Sequence, residues 1–370
     1  MIDTCIHHRW ESDLEVLDYL DDGWRGYVGT PGTLPGGAGM RRWTPRLQFS
    51  NPAGDDAPGT TDAEGRSLAS SPERLAATLD ERGVERALLL FDRAMFVPAC
   101  PNPHLALAMV KAVNDWSRDR WLSADPRLYG AVLVPSQTPA EAAAEIERVG
   151  ADDRVAAVLL ATPALGKTLG HPVYDPIYRA AAELDLPVVL HRGGDAVVDT
   201  PTGPAGGVPS TFAEYAAVAP FSLVTQLVSV VSNGVLDKYP SLRLVVVGAG
   251  AAWIPGFAMR FELVYRALRR EVPWVTRSIG EYLDGQIRVC TYGLEAGAGA
   301  PVLERIAGLE GGLASWLVYG SGYPSWDTTT EDAVRAVFPE RWHERLFVDN
   351  AETWLRWPRL ARRDRELAAT

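Results

Sequence analysis

The residues best equipped for chemistry cluster at the ends of short apolar runs. Only 6 His occur in the 370 residues, and His7, His8 and His191 all lie at such ends. Cys5, His7 and His191 would offer one sulfur and two imidazole nitrogens, a soft donor set suited to zinc. Cys-x-His spacing has low specificity, however, and both histidines could simply hydrogen-bond neighbouring loops. Arg192 and Asp195 read either as an ion pair within one loop or as a clamp for a carboxylate. Trp10, Trp24, Trp43 and Trp326 could line an aromatic pocket or a subunit interface. Further polar ends are Cys290-Thr291-Tyr292 and the run from Gly320 through Tyr323 and Trp326 to Asp327. Gly248-Ala249-Gly250 lacks the third glycine of a dinucleotide loop and reads better as a tight turn under Trp253. There is no phosphate-cradling glycine loop with lysine and no Gly-x-Ser-x-Gly elbow.

These ends belong to a repeat. Apolar runs at 1–6, 84–91, 128–134, 155–160, 187–191, 242–247, 286–290 and 315–319 alternate with helix-like segments. The runs are rich in Val, Leu and Ile without polar alternation, as in parallel strands buried on both faces. Strand alternating with helix is the α/β pattern, and eight such units suggest closure into a (β/α)₈ barrel. Helices are expected to open at Ser71-Pro72 and Asn102-Pro103 and to span 138–149, 175–184 and 221–236. In a barrel, catalytic residues sit at the C-terminal ends of strands, where the residues above fall. Two stretches break the repeat, 23–66 and 192–213. Both are rich in Gly and Pro and are expected above that face, the first as a lid or insertion. A single domain over 1–357 with a peripheral tail at 358–370 follows.

The formal net charge of -11 argues against nucleic acid as the main partner. An odd count of 3 Cys gives no disulfide framework. No basic region followed by an apolar run opens the chain, and no run reaches the roughly 18 apolar residues of a membrane span. A cytoplasmic protein with no membrane partner is expected.

The phrases also match a known family. Ile2-Asp3-Thr4-Cys5-Ile6-His7-His8 resembles the Ile-Asp-x-Asp-x-His opening of amidohydrolase-related proteins, the relatives of aminocarboxymuconate-semialdehyde decarboxylase. Residues 112–116, 134–137 and 239–244 resemble its recurring helix and strand phrases. Residues 320–327 resemble Ser-x-Asp-Tyr-Pro-His-Trp-Asp, and Asp349-Asn350-Ala351 resembles the closing Glu-Asn-Ala. The resemblance implies a TIM barrel with a divalent metal, zinc or manganese, that activates water or polarises a small substrate. It implies hydrolysis or decarboxylation of an aromatic or carboxylated molecule. By position, His7 and His191 match metal-ligand histidines. Cys5, Gly248, Gly322 and Ser325 stand where the family has a carboxylate or His, a His or Glu, the metal-binding Asp, and a His.

The expected metal is therefore absent or weakly held, zinc if present, on Cys5, His7 and His191. Catalysis would fall to His191, Asp195, Tyr323 and Asp327, with His8, Trp10, Arg192, Tyr292 and Trp326 contacting substrate. The alternative is a catalytically inactive subunit that binds a ligand or partners an active paralogue. A homodimer or a heteromer with an intact paralogue is expected in either case. If geometry has been kept, Cys5→Asp with Gly322→Asp should restore a metal site, at little cost in stability unless Gly322 has a positive φ.

Overall fold

The computed structural model describes residues 1–12, 14–29, 56–161, 163, 165–192, 209–297 and 312–357. Eight strands form one sheet in chain order. They are β1 (Ile2–His8), β2 (Arg86–Phe91), β3 (Leu128–Leu133), β4 (Val155–Leu160), β5 (Val188–His191), β6 (Leu244–Val247), β7 (Ile287–Cys290) and β8 (Leu317–Val318). Every neighbouring pair is parallel. The sheet closes where β8 and the residues after it meet β1. Thr4 N–H donates to Tyr319 O at 2.9 Å, His7 N–H to Tyr323 O at 2.7 Å and Gly322 N–H to Cys5 O at 2.8 Å. The expected (β/α)₈ barrel is the fold observed.

All residues of these strands are buried, as their unbroken apolar character requires. Each fully buried Val or Leu contributes about 1.5–3 kcal/mol, so the barrel wall is the main source of stability. The helix openings follow the caps. Ser71 Oγ accepts from Arg74 N–H ahead of Pro72, and Asn102 accepts from His104 and Leu105 N–H ahead of Pro103. The observed helices Pro139–Gly150 and Asp175–Glu183 match expectation within one residue.

Two expectations change. The helix placed at 221–236 runs Phe212–Ser232, opened by Thr211, with Pro220 inside it and a separate turn Val235–Lys238 after it. Its 21 residues are long and apolar enough to cross a membrane by length and composition, contrary to the reading that no run was. Leu223, Leu227, Val230 and Val231 are buried in the protein. Second, the stretch 23–66 is not loop throughout. A helix Asp22–Gly29 occupies its start, and its end is pinned to the β8 loop by Ala57 N–H donating to Pro324 O at 2.8 Å. Residues 30–55, most of the second loop and the tail 358–370 lie outside the described residues.

Candidate metal centre and cavity

Alternation along β1 decides which side chains enter the barrel mouth. Cys5 and His7 project on one side, two residues apart, and meet His191 from the end of β5 across the barrel. Cys5 Sγ lies 3.6 Å from His7 Nε2, and His7 Nε2 lies 2.9 Å from His191 Nε2. The three donor atoms fall within 4.8 Å of one another, the spread expected of ligands about 2.0–2.3 Å from a common ion.

The protonation pattern points the same way. His7 Nδ1 faces Gly322 O at 3.2 Å and His191 Nδ1 faces Arg192 O at 2.5 Å. A carbonyl only accepts, so each Nδ1 carries the proton. Burial is the main cause holding both rings neutral, His7 down to about 4 and His191 well below the usual imidazole range. Two Nε2 lone pairs then face each other in a buried site. A cation between them relieves that opposition, and backbone carbonyls fixing the far nitrogens are the usual support for ligand histidines. Burial first, and the contact with Cys290 next, push the Cys5 thiol well up. A metal would displace that proton. The residues fit a divalent ion, and the expectation of an absent or weak site finds no support in this geometry.

The two glycines that the resemblance sets at ligand positions are occupied ground. A Cβ on Gly248, whose φ is +88°, would stand 2.8 Å from Arg192 Cγ and 2.9 Å from Cδ. On Gly322, with φ +70°, it would stand 2.1 Å from Tyr292 Cδ2. Arg192 and Tyr292 thus fill the space that side chains at these positions would take. The positive φ at Gly322 is the case in which Asp there was expected to be costly, and the Tyr292 ring adds to that cost.

Arg192 and Tyr292 converge on Asp327. Arg192 Nη2 donates to Asp327 Oδ2 and, at 2.9 Å, to Tyr292 Oη. Tyr292 Oη donates to Asp327 Oδ1 at 2.8 Å, as does Ser325 Oγ at 2.8 Å. Burial pushes the Asp327 carboxyl up, but Arg192 and the hydroxyl donors outweigh it, so the group is held below the usual carboxylate range. Burial raises Tyr292, which stays a neutral phenol. Its ring stands edge-on to His7, with centroids 5.5 Å apart.

Above the donors lies a cavity of about 160 Å³. His7, His191, Arg192, Tyr292 and Trp326 line it, and Asp327 backs its wall through Arg192 and Tyr292. Three predicted residues are elsewhere. His8 points to the opposite side of β1, where its Nδ1 donates to Leu90 O at 2.7 Å and its Nε2 accepts from Ser117 Oγ at 2.8 Å. Trp10 packs edge-on to Trp116 beside it. Tyr323 is turned away beneath Arg82, 5.5 Å from guanidinium carbon to ring centroid. Asp195 lies outside the described residues.

Sequence reading missed Arg9, Asp92, Met95, Phe96, Phe212 and Tyr215, which also line the cavity. Arg9 carries a sequence signal, being two residues beyond His7. It is paired with Asp56 at 2.7 Å and Asp92 at 3.1 Å. Phe212 and Tyr215 were hidden by the misplaced helix start.

A model of the amidohydrolase family matches residues 6–357. The chain belongs to this family. Gamma-resorcylate decarboxylase of Rhodococcus jostii is 26% identical over 235 residues, covering 58% of this chain and 69% of that protein. An amidohydrolase structure from Mycobacterium avium subsp. paratuberculosis superposes with a TM-score of 0.68 at 19% identity, over 95% of this chain and 96% of that one. A 5-carboxyvanillate decarboxylase from Novosphingobium aromaticivorans, holding manganese and 4-hydroxy-3-methoxy-5-nitrobenzoic acid, gives 0.63 at 20% identity, with 95% of both chains covered. The chain is thus an amidohydrolase-fold protein whose relatives include aromatic-acid decarboxylases.

Proposed function

We propose that this chain is a metal-dependent enzyme that decarboxylates a small aromatic acid, with zinc held by Cys5, His7 and His191. The observation that carries the reading is the pair of facing Nε2 atoms at 2.9 Å beside the Cys5 sulfur, at the floor of a cavity of about 160 Å³. A cavity of about 150 Å³ admits a benzene ring, so the volume suits one substituted ring and little more. The decarboxylase relatives support the same class. Cys5 in place of a carboxylate favours zinc over the manganese seen in the relative.

When bound, the metal would polarise a substrate oxygen as a Lewis acid. The chain's own residues do the rest. Phe96, Phe212 and Trp326 take the faces and edges of the ring. Tyr292, a neutral phenol whose hydroxyl donates to Asp327, forms the wall of the cavity with its ring edge-on to His7. Asp327, ionised and held by donors, fixes that hydroxyl.

A metal-free route through His191 and Asp327 is disfavoured by the donor set. Hydrolysis of an amide-like substrate would use the same cavity. The reading of a non-catalytic subunit draws on one observation, that Gly248 offers no base and Arg192 fills its space. The exposed apolar side chains Phe221, Met259 and Leu263 favour self-association, which light scattering tests. The deciding experiment loads the purified chain with zinc or manganese, or strips it with chelator, and follows carbon dioxide release from a panel of hydroxybenzoates. Zinc-dependent release is expected. Tight ligand binding without turnover under every metal would support the non-catalytic subunit instead.

A further inference from the structure

We infer that Arg192 is an anion-binding residue for the substrate, a subsite distinct from the metal donors, and that Gly248 is the seat that allows it. The ring chemistry of the ligand rests on the aromatic-acid reading above. The Arg192 stem lies across Gly248, with Cγ, Cδ and Nε 2.8, 2.9 and 3.1 Å from where a Cβ would be. A Cβ at 248 would push this stem aside, on a backbone whose φ of +88° already disfavours any other residue. With glycine there, the guanidinium reaches over the Tyr292 ring, 4.8 Å from its centroid.

Its hydrogen bonds are unevenly spent. Among the described residues its two hydrogen bonds both use Nη2, one to Tyr292 and one to Asp327. Among the described residues, Nε and Nη1 make no hydrogen bond, and neither is a fully buried unpartnered nitrogen. The side chain lines the cavity together with His7 and His191. Among the described residues these charged N–H donors are left over, on a side chain that lines the same space as the metal donors. Guanidinium donors suit carboxylate or phenolate oxygen, and a charge-assisted bond in a half-closed cavity is strong. Asp327 fixes the guanidinium without capping these donors. A monocyclic aromatic anion would thus be gripped at Arg192 by a charged oxygen, with its ring against Phe96, Phe212 and Trp326.

The test uses benzoate and benzamide, which share a ring and differ in charge, with binding measured by calorimetry on the full chain. Measurements on protein as purified and after chelation separate Arg192 from direct metal contact. Wild-type protein should prefer benzoate in both states. Arg192→Met should weaken benzoate by about tenfold to a hundredfold and benzamide by less than about twofold. Arg192→Met with Asp327→Asn removes the ion pair together, so no uncompensated carboxylate compromises folding, and it should show the same loss. Gly248→Ala should also weaken benzoate selectively. No benzoate preference in wild type, or an unchanged benzoate-to-benzamide ratio in either folded Arg192 variant, would overturn the assignment. Since chelated protein is used, the result stands apart from the activity. Selective binding without turnover would sink the decarboxylase reading and leave the subsite intact.

Discussion

Gly322 shows how much of this site depends on a neighbouring strand. Its φ of +70° strains any other residue, and the Tyr292 ring would lie 2.1 Å from a new Cβ. Gly322→Asp should therefore destabilise the protein by about 2–4 kcal/mol, combining backbone strain with overpacking. Pairing it with Tyr292→Ala should recover the packing part and leave the strain. Urea midpoints of the two single variants and the double would measure this coupling, and an additive result would mean the ring does not fill that space. In the sequence the glycines at 248 and 322 stood out only through the family resemblance, and not as seats for Arg192 and Tyr292. A signal existed: each glycine follows a strand whose neighbour is followed by a large polar residue, β6 beside β5 and β8 beside β7. Using it requires the sheet order, which sequence periodicity supplied only as a hypothesis. Cys5, His7 and His191 were legible because strand ends in a barrel converge. Their protonation was not, because it rests on the carbonyls of Gly322 and Arg192.

At the scale of elements, β1 divides its histidines between two tasks. His7 enters the mouth, while His8 fastens β1 to the helix Pro103–Ser117. The His8 ring stacks on Trp116 at 5.2 Å and bonds at both nitrogens. His8→Ala should cost about 3 kcal/mol, from lost packing and from leaving Ser117 and Leu90 without their partner. Zinc content should stay unchanged, whereas His7→Ala should lose zinc and, with both variants compared in chelator, should cost the fold less than His8→Ala. Chemical denaturation together with elemental analysis of both variants would reveal a reversal of that pattern. Burial also holds His8 neutral, down to about 4. An unfolded histidine protonates near about 6.5, so below that pH the unfolded chain binds the extra proton and the folded chain does not. Stability should therefore fall as pH drops from about 6.5 toward 4, and His8→Phe should flatten part of that slope in a pH series of urea midpoints. The strands and most helices were readable because capping residues and apolar runs are local signals. The helix Phe212–Ser232 was placed from 221, past Pro220, although the cap that opens it is Thr211.

For the whole molecule, the donors tie together distant parts of the chain. His7 and His191 are 184 residues apart in sequence and meet only when the barrel has closed. A metal bound there recognises the folded state and not the unfolded one, so its binding free energy adds to stability. With free zinc at about a thousandfold above its dissociation constant, the gain is about 4 kcal/mol. Chelation should therefore lower the melting temperature by several degrees, and added zinc should restore it in a concentration-dependent way. Manganese should restore less, because a thiolate and two imidazoles favour the softer ion. Cys5→Ala should remove most of the zinc response while leaving the chelated protein near the melting temperature of chelated wild type. Scanning calorimetry of both proteins with chelator, zinc and manganese would decide it. A melting temperature indifferent to zinc in wild type would mean that the facing Nε2 atoms are not a metal site. A zinc response that survives Cys5→Ala would mean that the imidazoles hold the ion without the sulfur.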